Sequence, residues 1–363
     1  MPLNKHPQVL IGIDARNSNW LKTIREIDKI SDFGYFSSLH LPEYNLKEQL
    51  IFLHELSKHI GTRPLMVDIS YENFQLIHKD FHFKKMFSQI KIDWLRLDVG
   101  FKIRLFQHNL AEYKNIQGLC INASTLNEDE IKQWKLFCKN NKLDLTASHN
   151  YYPKQYTGLS LDTVDAMQKI FQQHKIYTWG FVPNINNPKP PLCDGLPTIE
   201  MMRNNSLKEN LLIACTQNIF SGIIIADKVN TNELVTIKDI YLGKKVYIKV
   251  NLMNNLTEAE IKIINKPHFF RNDKSTYLLR STASRLYAQS GSLVTPHNQK
   301  KRERGTITID NKLFKRYSGE LCIVLKNLPK DTRTNVVGWI NRQDLKIMDY
   351  LNSQYEVVFV VNN

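Results

Sequence analysis

The chain has 363 residues, of which 42% are hydrophobic and 23% charged, and its 49 Lys and Arg against 35 Asp and Glu give a formal net charge of +14. This composition excludes a disordered chain, a collagen-like repeat and a small disulfide scaffold, and the length suits two domains or one large barrel with an appendage. The positive excess favours anionic partners.

The N-terminal stretch, residues 1–17, lacks a long apolar run followed by a small-residue cleavage site, so no signal peptide is expected. No apolar run reaches the roughly 18 residues of a membrane span. The five cysteines are widely spaced and form no CxxC pair, which fits reduced thiols in a cytoplasmic protein. The basic residues are scattered. The densest run, Lys300-Lys301-Arg302-Glu303-Arg304, is broken by a glutamate and reads as an exposed loop, so no nucleic-acid partner is expected.

Eight short apolar runs then follow in order, at residues 9–13, 33–39, 65–69, 94–98, 118–122, 143–147, 177–182 and 222–226. Each has the length of a strand buried on both faces. The segments between them carry helical periodicity, as in 46–59 (apolar at 46, 50, 51, 53 and 56) and 161–174. Strands alternating with helices predict a closed (β/α)8 barrel, with an open doubly wound sheet as the competing arrangement.

Polar residues gather where these runs end: Asp14, His40 and Glu43, Asp68 and Ser70, Asp98, Asn122 and Ser124, His149 and Asn150, Asn184, and Asp227. In a parallel barrel the C-terminal strand ends meet at one mouth, where active sites sit. So many carboxylates in one place are a poor stability device, because buried unpaired charge is costly. Asp98 also has a structural reading, as the partner of Arg96.

The pattern changes after Asp227. Residues 231–242 read as the last barrel helix, 246–250 as a strand and 256–265 as a helix. Strand-like runs follow at 277–281, 305–309, 319–325, 334–340 and 355–361, which predicts a small β-barrel or sandwich. The expected domains are 1–242 and 243–363.

Two loops carry chemistry. In Ala147-Ser148-His149-Asn150-Tyr151-Tyr152-Pro153, aromatic faces and polar forks suit a sugar ring. Thr157-Gly158-Leu159-Ser160 precedes the next helix, where free backbone N–H groups can hold an anion, or where a turn is simply capped. The second loop, residues 191–203, brings Asp194, Glu200 and Arg203; its structural reading is a local Glu200–Arg203 pair beneath a Thr198 cap. The chain has no HExxH, P-loop, GxGxxG or GxSxG. No cofactor or metal is expected, and paired carboxylates fit the inventory better than a triad or a metal site.

The strings Ser37-Ser38-Leu39-His40-Leu41-Pro42-Glu43, Leu95-Arg96-Leu97-Asp98-Val99-Gly100-Phe101, His149-Asn150-Tyr151-Tyr152-Pro153 and Asp194-Gly195-Leu196-Pro197-Thr198-Ile199-Glu200 resemble the outer surface protein family, whose characterised branch is 6-phospho-N-acetylmuramidase. Arg304-Gly305-Thr306-Ile307-Thr308-Ile309-Asp310-Asn311 and Asp331-Thr332-Arg333-Thr334-Asn335 extend the resemblance to the C-terminal part. It implies a TIM barrel followed by a cyclophilin-like small β-barrel. It further implies a cytoplasmic glycosidase of cell-wall recycling that cleaves 6-phospho-N-acetylmuramic acid β-1,4-linked to N-acetylglucosamine, a small phosphorylated sugar substrate. A homodimer is left open.

Such hydrolysis needs one carboxyl group as acid and a second as nucleophile, base or amide-orienting group. The candidates are Glu43, Asp68, Asp98, Asp194 and Glu200, with Asp98 or Asp68 as the ionised partner and Glu200 or Asp194 as the acid. The expected substrate contacts are Asp14, His40, Arg96, Asn122, His149, Asn150, Tyr152, Thr157, Arg203, Arg280 and Arg316. Arg96, Arg203, Arg280, Arg285, Arg316 and Arg333 are the phosphate candidates, because a guanidinium binds phosphate bidentately. The resemblance departs at strand 1, where Asp14 and Arg16 stand in place of an expected Ser and Tyr, and at Asn184, where many members carry Gly.

Overall fold

The computed structural model describes residues 6–361, except 42, 99, 111, 274 and 288–293. Pro42 and Val99 of the motif strings thus lie outside the described residues. The chain divides into two units, one made of residues up to 210 with 217–235, the other of residues 211–216 with those from 236 onward.

The first unit is a closed barrel of eight parallel strands in sequence order. They are β1 (Val9–Gly12), β2 (Gly34–Ser38), β3 (Leu65–Ile69), β4 (Trp94–Leu97), β5 (Gly118–Asn122), β6 (Asp144–Ser148), β7 (Tyr177–Phe181) and β8 (Gly222–Ile225). Every one matches a predicted run to within a residue at each end. β1 closes on β8 through Leu10 opposite Ile224, which removes both sheet edges. At that seam the strands approach closely: a Cβ on Gly12 would lie 2.7 Å from the Ala226 backbone.

Helices fill the connections as the periodicity predicts, for example Leu46–His59 and Leu161–Gln173. Asn45 with Glu48 and Asn127 with Glu130 form capping boxes that satisfy otherwise free N–H groups. The predicted helix 231–242 is an α-helix over Thr231–Ile237 that widens into a π turn at Lys238–Leu242.

Leu10, Phe36, Met66, Trp94, Cys120, Trp179, Phe181 and Ile224 form one buried cluster in the barrel. Side chains along a strand alternate with period two. The face that buries Met66 therefore continues to Asp68, that of Trp94 to Arg96, and that of Cys120 to Asn122. A barrel plugged by apolar side chains below thus presents polar ones at its C-terminal mouth.

The second unit holds β9 (Lys245–Leu252), β10 (Leu278–Arg280), β11 (Thr306–Asp310), β12 (Leu321–Val324), β13 (Thr334–Ile340) and β14 (Glu356–Val361). They form one six-stranded sheet in the order β10-β12-β11-β13-β9-β14, antiparallel except for the β9–β14 pair. Of the two arrangements expected, barrel or sandwich, the described strands do not form the sandwich, since they make one sheet and not two facing ones. His268 bridges Val357 of β14 and Phe270 bridges Ser281 beside β10, so one short segment touches both ends of the sheet and curls it. Lys300 to Arg304 lies in a loop before β11, where Arg304 pairs with Asp349 at 2.8 Å.

Candidate active site

The mouth of the barrel is organised by two cationic networks. The first centres on Arg96, which is 1% exposed. Its Nη1 donates to Asp68 at 2.6 Å and to Asp98 at 3.2 Å, its Nε to Ser148 at 2.7 Å, and its Nη2 to Asn150 at 2.8 Å. Four of the five N–H groups of a guanidinium are thereby committed. Asn122 donates to the same Asn150 oxygen at 2.9 Å, which completes a ring built from β3 to β6 and the loops after β4 and β6. Burial pushes the Asp68 carboxyl up, Arg96 pulls against it, and the charge of Asp98 adds to the rise. Asp98 is half-buried and lines a pocket of about 260 Å³ with Asn122 and Asn150.

The second network centres on Asp14. Arg16 reaches its two oxygens from Nε at 3.2 Å and from Nη2 at 2.8 Å, and Lys189 reaches Oδ2 at 2.7 Å. Burial alone would raise the Asp14 carboxyl, but Lys189 and Arg16 outweigh it and hold it well below the usual carboxylate range. A cleft of about 450 Å³ opens here, lined by Asp14, Arg16, Glu43, Tyr44, Lys189 and Lys228 among others. Among the described residues, the Glu43 carboxylate has no hydrogen-bonded partner. A smaller pocket of about 140 Å³ adjoins it, lined by His40, Tyr151 and Asp194 as well as Arg16 and Glu43.

The loops after β6 and β7 are sewn together. Thr198 accepts from the Phe181 N–H and donates to the Asn150 carbonyl, and Leu159 bridges Ile199. Thr198 is therefore a loop clasp and not the expected helix cap. Arg203, 2% exposed, donates to the carbonyls of Tyr152, Lys154 and Asp194 and to both oxygens of Glu200. Glu200 also accepts from the N–H groups of Tyr156 and Gly158, at 2.9 and 2.7 Å. A Cβ on Gly158 would sit 2.6 Å from the Glu200 carboxylate, so only glycine permits this approach.

This arrangement corrects three expectations. The Arg203 hydrogen bonds outweigh burial and, with the two N–H groups, hold Glu200 at about 2, so it carries no proton to donate near neutral pH. Arg203 is saturated and offers nothing to a phosphate. The anion expected at Thr157 and Gly158 is already present as the Glu200 carboxylate, while the Thr157 hydroxyl donates back to Lys154.

His149 is also displaced from the expected role. It is fully buried, off the inward register, beside Phe220 at 5.7 Å and the Ser124 hydroxyl at 3.3 Å. Burial pushes its imidazole down to about 4, and Arg96 adds to the shift. Asp227 accepts backbone N–H groups of Asn184, Lys189 and Leu196, which makes it an anchor for the β7 loop. Asp194 accepts from Gln155 at 3.0 Å, and His40 stays exposed at the mouth. Tyr152 is half-buried, and its backbone N–H and carbonyl are both engaged in the loop stitching. Arg280 pairs with Asp273 at 2.8 Å, and Arg316 meets the Tyr317 hydroxyl at 3.0 Å, both within the second unit.

Sequence reasoning missed Lys189 and Lys228, and it named Tyr151 in the sugar-suited loop without counting it among the expected contacts. Tyr151 packs on Phe181 with ring centroids 5.0 Å apart and lines the pocket floor near Ser38. The only signal for Lys189 was its place in a long Pro- and Asn-rich loop after a barrel strand. Among the described residues no group of three or more His, Cys, Asp and Glu side chains is placed to hold a metal ion, and no helix is long and apolar enough to cross a membrane.

A closed parallel barrel with charged networks ringing its mouth, joined in one chain to a mixed-sheet unit, defines a two-unit protein of the (β/α)8-barrel class. Family profiles place it further: 6-phospho-N-acetylmuramidase, N-terminal, matches residues 13–238, and 6-phospho-N-acetylmuramidase, C-terminal, matches residues 246–360. The chain belongs to the 6-phospho-N-acetylmuramidase family. Its fold is shared with a conserved protein of unknown function from a locus in Enterococcus faecalis, at 23% identity and a TM-score of 0.77, covering 98% of this chain and 97% of that one. An uncharacterized B. cereus protein is similar at 24% identity and a TM-score of 0.73, covering 98% and 99%. No curated protein matches the sequence significantly.

Proposed function

We propose that the chain is a cytoplasmic glycoside hydrolase that cleaves a 6-phosphosugar disaccharide, 6-phospho-N-acetylmuramyl-β-1,4-N-acetylglucosamine, in cell-wall recycling. The observation that carries this reading is the family match over both units, set on a mouth where Asp68 and Asp98 share one guanidinium. The second unit's curled sheet is read as the cyclophilin-like barrel of that family.

In this reading Asp98, facing its pocket, is the ionised partner that supports the developing positive charge or activates water. Asp68 sets the orientation of Arg96 and shares its charge. Glu43, which lines the larger cleft, takes the place of Glu200 in this reading as the acid candidate. Asp194, tethered only by Gln155, is the other acid candidate.

The direct test is incubation with the phosphorylated disaccharide, read by mass spectrometry for both monosaccharides. Asp98→Asn and Glu43→Gln are expected to lower kcat by about 10²- to 10⁴-fold with melting temperature unchanged. Turnover that survives in both variants removes this assignment. Glu200→Gln is expected to lower the melting temperature while sparing most of kcat.

A second reading is a sugar-phosphate-binding protein without turnover. It is favoured by Asp14 and Arg16, which fill the end of β1 with an ion pair where the family resemblance leads to Ser and Tyr. It gives ligand-dependent thermal stabilisation and no products.

A further inference from the structure

Charge is not shared evenly between the two parts of the chain. Residues 243–363 hold 21 Lys and Arg against 10 Asp and Glu, a net +11, whereas residues 1–242 hold 28 against 25, a net +3. Some of the C-terminal cations are neutralised locally: Arg271 and Arg280 share Asp273, Arg304 pairs with Asp349, and Arg333 with Asp331. One patch of the second unit is not. There the short helix Ser284–Tyr287 meets the turns of Lys312–Tyr317. The Arg285 guanidinium stands over the Tyr317 ring at 5.3 Å, and its Nη1 donates to the Arg316 carbonyl at 3.4 Å. Arg316 stands over the same ring at 5.0 Å. Lys312, Lys315 and Arg316 are exposed and Arg285 is half-buried; among the described residues none of the four forms an ion pair. Two guanidiniums on one ring with no carboxylate beside them repel each other, and an anion from outside relieves that repulsion.

The same patch exposes apolar side chains. Leu286 is 81% exposed, Leu313 48% and Tyr317 39%. A single exposed leucine needs no explanation, but here the apolar tips and the unpaired cations share two touching segments. That combination selects the occupant. A nucleic acid would use the cations, yet both guanidiniums already stack on Tyr317, and a leucine is no platform for a base. A second copy of the chain would bring the same positive patch against itself. An anionic lipid surface answers both features, since headgroup phosphates take the cations and the leucines enter the boundary with the acyl chains. We infer that this face of the second unit docks on an anionic membrane surface through Arg285, Lys312, Lys315 and Arg316, with Leu286 and Leu313 as the inserted tips. Attachment of this kind needs no spanning helix. It goes beyond the glycosidase reading and does not depend on it.

The experiment is flotation of the full chain with vesicles of phosphatidylcholine alone and with vesicles that also hold about 30 mol% phosphatidylglycerol. Binding to the anionic vesicles is expected to be at least about tenfold tighter and to fall as salt rises. Arg316→Gln is expected to weaken it about fivefold and Leu286→Ser about tenfold. Both positions are exposed, and thermal melting checks the fold of each variant. Equal binding to the two vesicles, no binding, or unchanged affinity in both variants would overturn the docking surface. So would binding of a single-stranded oligothymidylate that Arg316→Gln weakens and Leu286→Ser does not, with the vesicles ignored; the patch would then be a nucleic-acid surface. A dimer in sedimentation that Leu286→Ser abolishes, again without vesicle binding, would make it a contact between copies of the chain instead. Hydrolysis enters none of these readouts, so failure of the docking surface and failure of the glycosidase reading are told apart.

Discussion

The barrel mouth contains two networks made of the same residue types with opposite degrees of saturation. On the side of β3 to β6, Arg96 is buried and four of its N–H groups end on protein acceptors. On the side of β1 and the β7 loop, Arg16 and Lys189 share one aspartate and keep donors open toward a cleft. The comparison teaches that a buried arginine beside an aspartate does not by itself mark a ligand site. What matters is whether its hydrogen-bonding capacity is exhausted by the fold. Arg203 makes the same point, since six contacts with loop oxygens, the Gly195 carbonyl among them, turn a phosphate candidate into a clasp.

The largest expected effect breaks the saturated network. Arg96→Met leaves Asp68 buried without its cation and is expected to cost about 3–5 kcal/mol of stability, read by urea denaturation. A loss below about 1 kcal/mol would put Arg96 on the ligand side of the comparison.

Next comes a pH effect behind the same network. The buried His149 is neutral in the folded protein down to about 4, whereas an unfolded histidine protonates near 6.5. The unfolded chain therefore binds more protons across that window. Stability is intact above pH 6.5 and falls as pH drops toward 4, by about 3 kcal/mol for one such group. His149→Phe is expected to flatten part of this slope in denaturation measured at pH 7, 5.5 and 4. His268 in the second unit, pushed down to about 4 by burial, keeps its own share.

A smaller loss is expected for Asp14→Asn, about 2 kcal/mol. Burial pushes the Lys189 ammonium down, so without Asp14 it can release its proton and escape an uncompensated charge. Thermal melting of Asp14→Asn and Arg96→Met side by side ranks the two networks, and a larger loss for Asp14 would reverse the comparison. The smallest effect is expected for Lys228→Ala, within about 0.5 kcal/mol of the parent chain, because an exposed side chain with open donors supports ligand and not fold.

Much of the scaffold could be read in advance because its causes are local. Eight apolar runs separated by helical periodicity lead to eight parallel strands, and the period-two register from Met66 to Asp68 and from Trp94 to Arg96 leads to the polar mouth. The same register explains one failure. His149 falls between Ser148 and Asn150 and so points away from the interior, into the layer where Phe220 packs. Glu200 and Arg203 were legible as a pair, three residues apart in one loop, but the pair's consequence for Gly158 and Tyr156 was not.

The residues along the chain were enough to determine the order of elements, the barrel and the family, since each rests on short-range pattern or on motif strings kept in sequence. Only the tertiary structure decided which charges are free. Asp14 and Lys189 are 175 positions apart, and Asp68 and Arg96 are 28 apart on neighbouring strands. Saturation of a donor depends on the three-dimensional placement of every acceptor around it, set by barrel closure and by the conformation of two long loops. No spacing within a single segment carries that information.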